Sequence, residues 1–195
     1  MPELRPYQLE AVKKLLDEKK VLIADDMGLG KTAEAITAKK AIENRQGERA
    51  RTLIVCPASV TQHWENEIRL WYPGKSEVAR IQTPTFNADV RNAETADFVI
   101  TGYPTLSYLG KGNGLRDLEA LSFQYGIIDE AHNAKNPDSI RSIAVKRLFD
   151  SMEYLAILSG TPIPNSIVDI YMLLSLLDNK SFPLEQENSS QILSN

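Results

Sequence analysis

The sequence predicts a single α/β lobe, with a mostly parallel central sheet covered by helices on both faces, and three observations carry that prediction. Short apolar stretches of strand length alternate with longer stretches of helical periodicity along most of the 195 residues. A glycine-bearing loop, Gly28-Leu29-Gly30, joins the first of these strands to the helix after it. A second apolar strand, residues 125–128, runs into the carboxylate pair Asp129-Glu130, at the strand end where open parallel sheets bind ligands.

Each element follows from local pattern. Residues 5–19 read as a helix with Leu9, Val12, Leu15 and Leu16 inward. Residues 21–24 form the first strand, and residues 31–44 the helix beyond the loop, with Ala33, Ile36, Ala41 and Ile42 available for its buried face. Residues 51–56 are a strand; Pro57-Ala58-Ser59 then leads into a helix capped by Ser59 or Thr61, which runs to Trp71 or Tyr72 and stops at Pro73-Gly74. A weaker strand is expected at 78–81, no element is assigned to 82–95, and the next strand covers 96–101. A short helix at 104–109 and a mobile loop at 110–114 follow. Residues 139–150 are expected to form a helix packed on a strand at 154–158, and residues 166–177 a helix with Ile167, Ile170, Leu173, Leu174 and Leu177 inward. Alternation of this kind implies parallel strands joined by helices on both faces.

The two motifs supply what Mg-ATP binding requires. A loop of small residues lets backbone N–H groups turn inward around a triphosphate while the following helix offers its positive end. Within Ala24-Asp25-Asp26-Met27-Gly28-Leu29-Gly30-Lys31-Thr32, Gly28 and Gly30 permit that approach, with Met27 and Leu29 beside them. Lys31 would reach the β- and γ-phosphates, and the Thr32 hydroxyl would ligate Mg²⁺. Asp129 would hold the same ion, directly or through water, and Glu130 would polarise the attacking water. The general pattern G-x-x-x-x-G-K-[ST] places glycine where this chain has Asp25, so the bare pattern is less decisive here. A solvated acidic turn after a core strand is the bland alternative for Asp129-Glu130, and the Lys31-Thr32 loop upstream argues against it.

Further motifs share the family order of these two: Leu4-Arg5-Pro6-Tyr7-Gln8, Val55-Cys56-Pro57-Ala58-Ser59, Trp64-Glu65, Val99-Ile100-Thr101-Gly102-Tyr103, Lys135-Asn136-Pro137 and Leu158-Ser159-Gly160-Thr161-Pro162-Ile163-Pro164-Asn165. Together they make the chain resemble the N-terminal RecA-like lobe of the Swi/Snf-type ATPases, the DNA-translocating and chromatin-remodelling branch of helicase superfamily two. The resemblance covers residues 4 to 177, and the wording Cys-Pro-Ala-Ser, Lys-Asn-Pro and Gly-Thr-Pro-Ile-Pro-Asn is nearest to the annealing-helicase-like branch. It implies a RecA-like P-loop NTPase fold, ATP and Mg²⁺ as cofactors, double-stranded DNA as a partner, and a second RecA-like lobe that brings arginine fingers to the γ-phosphate. Residues 1–177 would be the lobe and residues 178–195, polar with Pro183 and Ser189-Ser190, a linker or frayed tail. Nothing after Leu177 resembles the second lobe, and an arginine finger contributes on the order of 10³ to 10⁵ in rate, so this lobe alone is expected to be nearly inactive and monomeric.

By the same resemblance, Gln8 would recognise adenine, an exposed helical Gln being the alternative. His132 would link the ATP site to Ser159 and Thr161 through hydrogen bonds. Ser59 and Thr61 could donate to a DNA phosphate, although Ser59 equally reads as a cap. The backbone at Thr101, Gly102 and Tyr103 would meet the tracked strand, and Lys135 and Asn136 would touch DNA from a loop. Trp64, at helical spacing from Ile68 and Trp71, reads as packing rather than base stacking. Two rivals stand beside the translocase: an RNA helicase lobe of the DEAH or DEAD kind, against which the Leu-Arg-Pro-Tyr-Gln and Met-Gly-Leu-Gly-Lys-Thr wording counts, and a nucleotide-binding interaction module that never hydrolyses ATP.

Composition adds limits. A net charge of -4 and a pI near 5.3 argue against strong autonomous DNA binding, and Lys19-Lys20, Lys39-Lys40 and Lys146-Arg147 read as solubilising helix faces. The single Cys56 sits in an apolar strand, which points to a core residue in a reducing compartment. With only His63 and His132 beside it, zinc binding is poorly supported. The amphipathic N-terminus is no signal peptide and no apolar run is long enough to span a membrane, so the expected setting is cytoplasm, nucleoid or nucleus.

Overall fold

The computed structural model describes residues 2–74, 76–134, 136–160 and 167–183, with backbone alone at 167–170. Six strands, β1 (Lys20–Ile23), β2 (Thr52–Cys56), β3 (Val78–Ile81), β4 (Phe98–Gly102), β5 (Tyr125–Ile128) and β6 (Tyr154–Leu158), lie in the order β1-β6-β5-β2-β4-β3. Every pairing among them is parallel. The helices are α1 (Pro6–Glu18), α2 (Lys31–Gln46), α3 (Thr61–Trp71), α4 (Phe86–Ala93), α5 (Tyr103–Leu109), α6 (Gly114–Ala120), α7 (Ile140–Phe149) and α8 (Ile167–Leu177).

Alternate residues of the buried strands feed two cores, as the two-residue period of a strand requires. Ile54 and Cys56 of β2, Ile127 of β5 and Ala156 of β6 face the layer of α1, α2 and α3. Leu53 and Val55 of β2, Ile128 of β5 and Ile157 of β6 face the layer of α4 to α8. The Tyr125 hydroxyl crosses from β5 to donate to the Ala35 carbonyl of α2 at 3.0 Å, fixing that helix on the sheet.

Several local expectations change. On α1, Val12 and Leu15 are buried but Leu9 is 55% exposed, and Gln8 takes the inward position. Residues 82–95, unassigned from sequence, hold a 3-10 turn at Thr83–Thr85 and α4. The Asp89 carboxylate ties them together by accepting from the Gln82 N–H at 2.9 Å and the Thr85 hydroxyl at 2.7 Å. The expected mobile loop at 110–114 is a bonded turn, with the Gly110 N–H on the Leu106 carbonyl at 2.9 Å and Gly112 on Leu109 at 3.2 Å. It runs directly into α6, which buries Leu115 and Leu118. No Ser59 or Thr61 side chain caps α3; a 3-10 turn at Ala58–Val60 leads in, and the Thr61 hydroxyl donates backward to the Ala58 carbonyl at 3.2 Å. Ser139 does cap α7, accepting from the Ser142 N–H at 3.2 Å.

Lys39 is not on a solubilising face: it is fully buried. Its ammonium bonds the Glu43 carboxylate, lies 4.0 Å from Asp97, and sits 4.8 Å and 5.2 Å from the Tyr72 and Phe98 ring centres, which is the paired state a buried cation needs. The expected tail begins with packed residues: Phe182 meets Tyr171 edge to face, and the Tyr171 hydroxyl donates to the Pro183 carbonyl at 2.9 Å. Residues 184–195 lie outside the described residues.

Candidate functional site

The glycine loop follows β1 at the sheet's edge. Gly28 and Gly30 both have left-handed backbones, φ 82° and 90°, conformations that glycine adopts without a side-chain penalty. The Gly30 carbonyl starts α2 by accepting from Ala33 at 2.9 Å and Glu34 at 3.2 Å. Lys31 lies back over the loop, its Nζ donating to the Asp25 carbonyl at 2.7 Å and the Asp26 carbonyl at 3.0 Å. Helix α1 braces the opposite side: the Tyr7 hydroxyl and Gln8 Nε2 both donate to the Leu29 carbonyl, at 2.9 Å and 3.1 Å, while Gln8 Oε1 accepts from the Arg5 N–H at 2.8 Å. Gln8 is therefore neither an exposed helical residue nor an amide held apart from the loop. A Cβ at residue 30 would fall 2.5 Å from its Nε2.

The acidic turn sits two strands away, at the end of β5. Its backbone hangs on the neighbouring strand through the Asp129 N–H and the Val55 carbonyl, 2.8 Å. Two aromatic donors then converge on Asp129: Trp64 of α3 gives its indole N–H to Oδ2 at 2.8 Å, and Tyr103 of α5 gives its hydroxyl to the carbonyl at 2.7 Å. Glu130 has φ 50° without being glycine. Such a backbone costs of order 1–3 kcal/mol and persists where its surroundings determine it. Here Asn133 supplies both its backbone N–H and its side-chain Nδ2 to the Glu130 carbonyl, each at 2.9 Å.

Electrostatics link the two segments. Burial pushes the Asp129 carboxyl above its usual range and the Glu130 charge adds to this, while the Trp64 N–H, a backbone N–H and the Lys31 ammonium pull against them. Glu34, in the first turn of α2, is wholly buried, and neither carboxylate oxygen has a hydrogen-bond partner among the described residues. Burial first, then the Asp25 charge, pushes it up to about 7 against the opposing pull of Lys31. The third loop joins through β6: the Ser159 N–H donates to the Ile23 carbonyl at 3.2 Å, and a Cβ at Gly160 would meet Met27 Cγ at 2.8 Å.

The donor types suit a magnesium nucleotide. A threonine hydroxyl and a carboxylate are hard oxygen ligands, and the space beside Gly28 is open, with nothing within 4 Å of where a Cβ would stand. Thr32 and Asp129 could hold the metal, and Lys31 and the loop N–H groups the phosphates.

Other predicted positions divide. His132 is exposed, with Nδ1 3.1 Å from Glu130 Oε2 and Nε2 3.3 Å from the Asn133 amide; the expected bridge from it to Ser159 and Thr161 ends on residue 161, outside the described residues. Ser59 is exposed and Thr61 half-buried at the front of α3. Asn136 is exposed, its Oδ1 accepting from the Asp138 N–H at 3.1 Å, and Lys135 lies outside the described residues. Thr101, Gly102 and Tyr103, expected to meet the tracked strand through their backbone, are all buried in this lobe. The Thr101 hydroxyl is bonded to the Ile81 carbonyl at 3.2 Å, Gly102 packs on Ala58, and Tyr103 serves Asp129. Sequence reasoning missed the Trp64 and Tyr103 bonds and the buried Glu34. Nothing in a pattern of spacing connects Trp64 with Asp129, 65 positions away.

Comparison with known proteins agrees with this geometry. A family model described as the SNF2-related domain matches residues 7–193. The chain is 35% identical over 191 residues to the TATA-binding protein-associated factor mot1 of Aspergillus fumigatus, covering 90% of this chain and 10% of that protein. It is 31% identical over 202 residues to the Chromodomain-helicase-DNA-binding protein 6 of Homo sapiens, covering 94% and 7%. A solved structure, the Sulfolobus solfataricus SWI2/SNF2 ATPase core in complex with dsDNA, aligns with a TM-score of 0.73 at 30% identity over 98% of this chain and 38% of that one. The chain thus spans a tenth or less of these curated relatives. Motifs, RecA-like parallel sheet and relatives converge: the chain belongs to the SNF2-related domain family of helicase superfamily two.

Proposed function

We propose that this chain is the nucleotide-binding first lobe of an ATP-dependent double-stranded DNA translocase of the remodelling type. The observation that carries the reading is the placement of two segments at the same, carboxyl end of the parallel sheet, with only β6 between β1 and β5: a left-handed glycine loop ending in Lys31-Thr32, and the acidic turn Asp129-Glu130. On this reading the loop N–H groups and Lys31 bind the β- and γ-phosphates, Thr32 and Asp129 hold Mg²⁺, and Glu130 orients the attacking water. Bound Mg²⁺ supplies charge neutralisation at the phosphates. Lys31 exchanges the Asp25 and Asp26 carbonyls for phosphate oxygens, and Gln8 with Tyr7 holds the loop through Leu29.

Hydrolysis then needs an arginine finger from a second RecA-like lobe, so residues 1–177 act as half of a nucleotide cleft and the chain alone turns over slowly. The DNA reading draws on the family and on the dsDNA bound by the solved SWI2/SNF2 core; the net charge of -4 gives it no independent support. Exposed Ser59 and Asn136 and half-buried Thr61, with Lys135, are the candidate backbone contacts on this lobe. The test is ATP hydrolysis by a two-lobe protein with duplex DNA or RNA at matched salt. Stronger stimulation by duplex DNA is the expected result; equal stimulation by RNA moves the reading to an RNA helicase, and no hydrolysis with either moves it to a nucleotide-binding interaction module.

A further inference from the structure

We infer that Trp64 is a positioning residue for the metal site, its indole N–H setting which oxygen of Asp129 faces the glycine loop. The inference rests on the magnesium-nucleotide reading above. An aspartate carboxylate turns easily about its last bond, so holding the backbone does not by itself aim the oxygens. The backbone of Asp129 is already held at both ends, by the Val55 carbonyl and the Tyr103 hydroxyl. Beside the Glu130 backbone N–H, which also acts on this carboxylate, Trp64 supplies the side-chain constraint, a 2.8 Å bond from Nε1 to Oδ2 that fixes the turn of the carboxylate about its last bond.

An ordinary core tryptophan would account for the buried ring, but not for where its single polar atom points. Trp64 is fully buried, and its N–H meets the carboxylate that the acidic motif places at the phosphate loop, rather than a backbone carbonyl. Trp71, on the same helix, shows the other arrangement: it is half-buried, and its N–H bonds Glu67 one turn away at 3.1 Å. Groups that orient a metal ligand from behind typically change metal affinity by about 10- to 100-fold when removed.

The experiment uses the 195-residue chain and a fluorescently labelled ADP, titrated in EDTA and across a Mg²⁺ series. Trp64→Phe keeps an aromatic ring and removes the donor. We expect its ADP affinity in EDTA to stay within about 2-fold of wild type, while the Mg²⁺ concentration for half-maximal enhancement of binding rises by about 10-fold. Trp71→Phe should change neither. Equal weakening of binding with and without Mg²⁺ would reduce Trp64 to packing, and an unchanged Mg²⁺ midpoint would remove its role. In Trp71→Phe the one remaining indole is Trp64, so the second measurement needs no substitution at that residue. Its emission should move with Mg²⁺ and ADP together and not with ADP in EDTA; emission that stays fixed overturns the inference. If wild type shows no Mg²⁺-dependent enhancement, the nucleotide reading itself fails, which is a separate result.

Discussion

Gly30→Ala tests how the phosphate loop is held. Residue 30 has φ 90°, so an L side chain there carries a left-handed penalty of about 1–2 kcal/mol. The new Cβ would also stand 2.5 Å from Gln8 Nε2, and the amide must leave, giving up its bonds to Leu29 and Arg5 at about 0.5–1.5 kcal/mol each. The whole cost is about 2–5 kcal/mol. Gln8→Ala removes the same two bonds without the strain and costs about 1–3 kcal/mol. In the double variant no amide remains to displace, so adding Gly30→Ala to Gln8→Ala should cost only the backbone penalty, about 1–2 kcal/mol. Urea unfolding of wild type, both single variants and the double variant closes the cycle. A coupling of at least about 1 kcal/mol is expected. Costs that add within about 0.5 kcal/mol would mean that Gln8 does not brace the loop.

Two further outcomes follow from the cores. Gly126→Ala on β5 would overlap the Phe149 ring and come within 2.8 Å of Met152 Sδ. Overpacking of this kind costs about 1–3 kcal/mol, a fall in melting temperature of roughly 3–10 °C at this size; Gly112→Ala, with nothing within 4 Å, should be close to neutral, and equal melts for the two would contradict the packing. Asp97 is pushed upward by burial but more strongly downward by the Arg49 side chain, the Glu77 N–H and the Lys39 charge, so its carboxyl titrates below the usual range. Its stabilisation is therefore full above about pH 4 and lost as pH falls through the lower folded value. The stability gap between wild type and Asp97→Asn should narrow from pH 7 to pH 3, and a constant gap would refute the assignment.

Much of this architecture was legible in the sequence because parallel strands buried on both faces read as continuous apolar runs, as in Leu53-Ile54-Val55-Cys56 and Phe98-Val99-Ile100. The two phosphate-site motifs were legible because each is local. What escaped depended on distant partners. Gln8 turns inward because Leu29 offers a carbonyl, and this rotates α1 so that Leu9 faces out. Lys39 is buried because Glu43, Asp97 and two rings surround it. Helices α4 and α6 are short and rich in Asn, Asp and Gly, which reads as loop until Leu115, Leu118 and the Asp89 carboxylate find their contacts. The side chain of Tyr103 is an internal donor to the acidic turn, a role that depends on Asp129, 26 positions away, and that no local pattern announces.

The most direct measurement of the central claim is a titration of labelled ADP and Mg²⁺ into wild type and Lys31→Ala at one ionic strength, with melting curves to establish that both are folded. Hydrogen bonds to a charged group contribute about 1.5–3 kcal/mol, and about 1.4 kcal/mol is tenfold in affinity. The account predicts binding at least about 10-fold weaker in Lys31→Ala, and equal affinities in two folded proteins would contradict it.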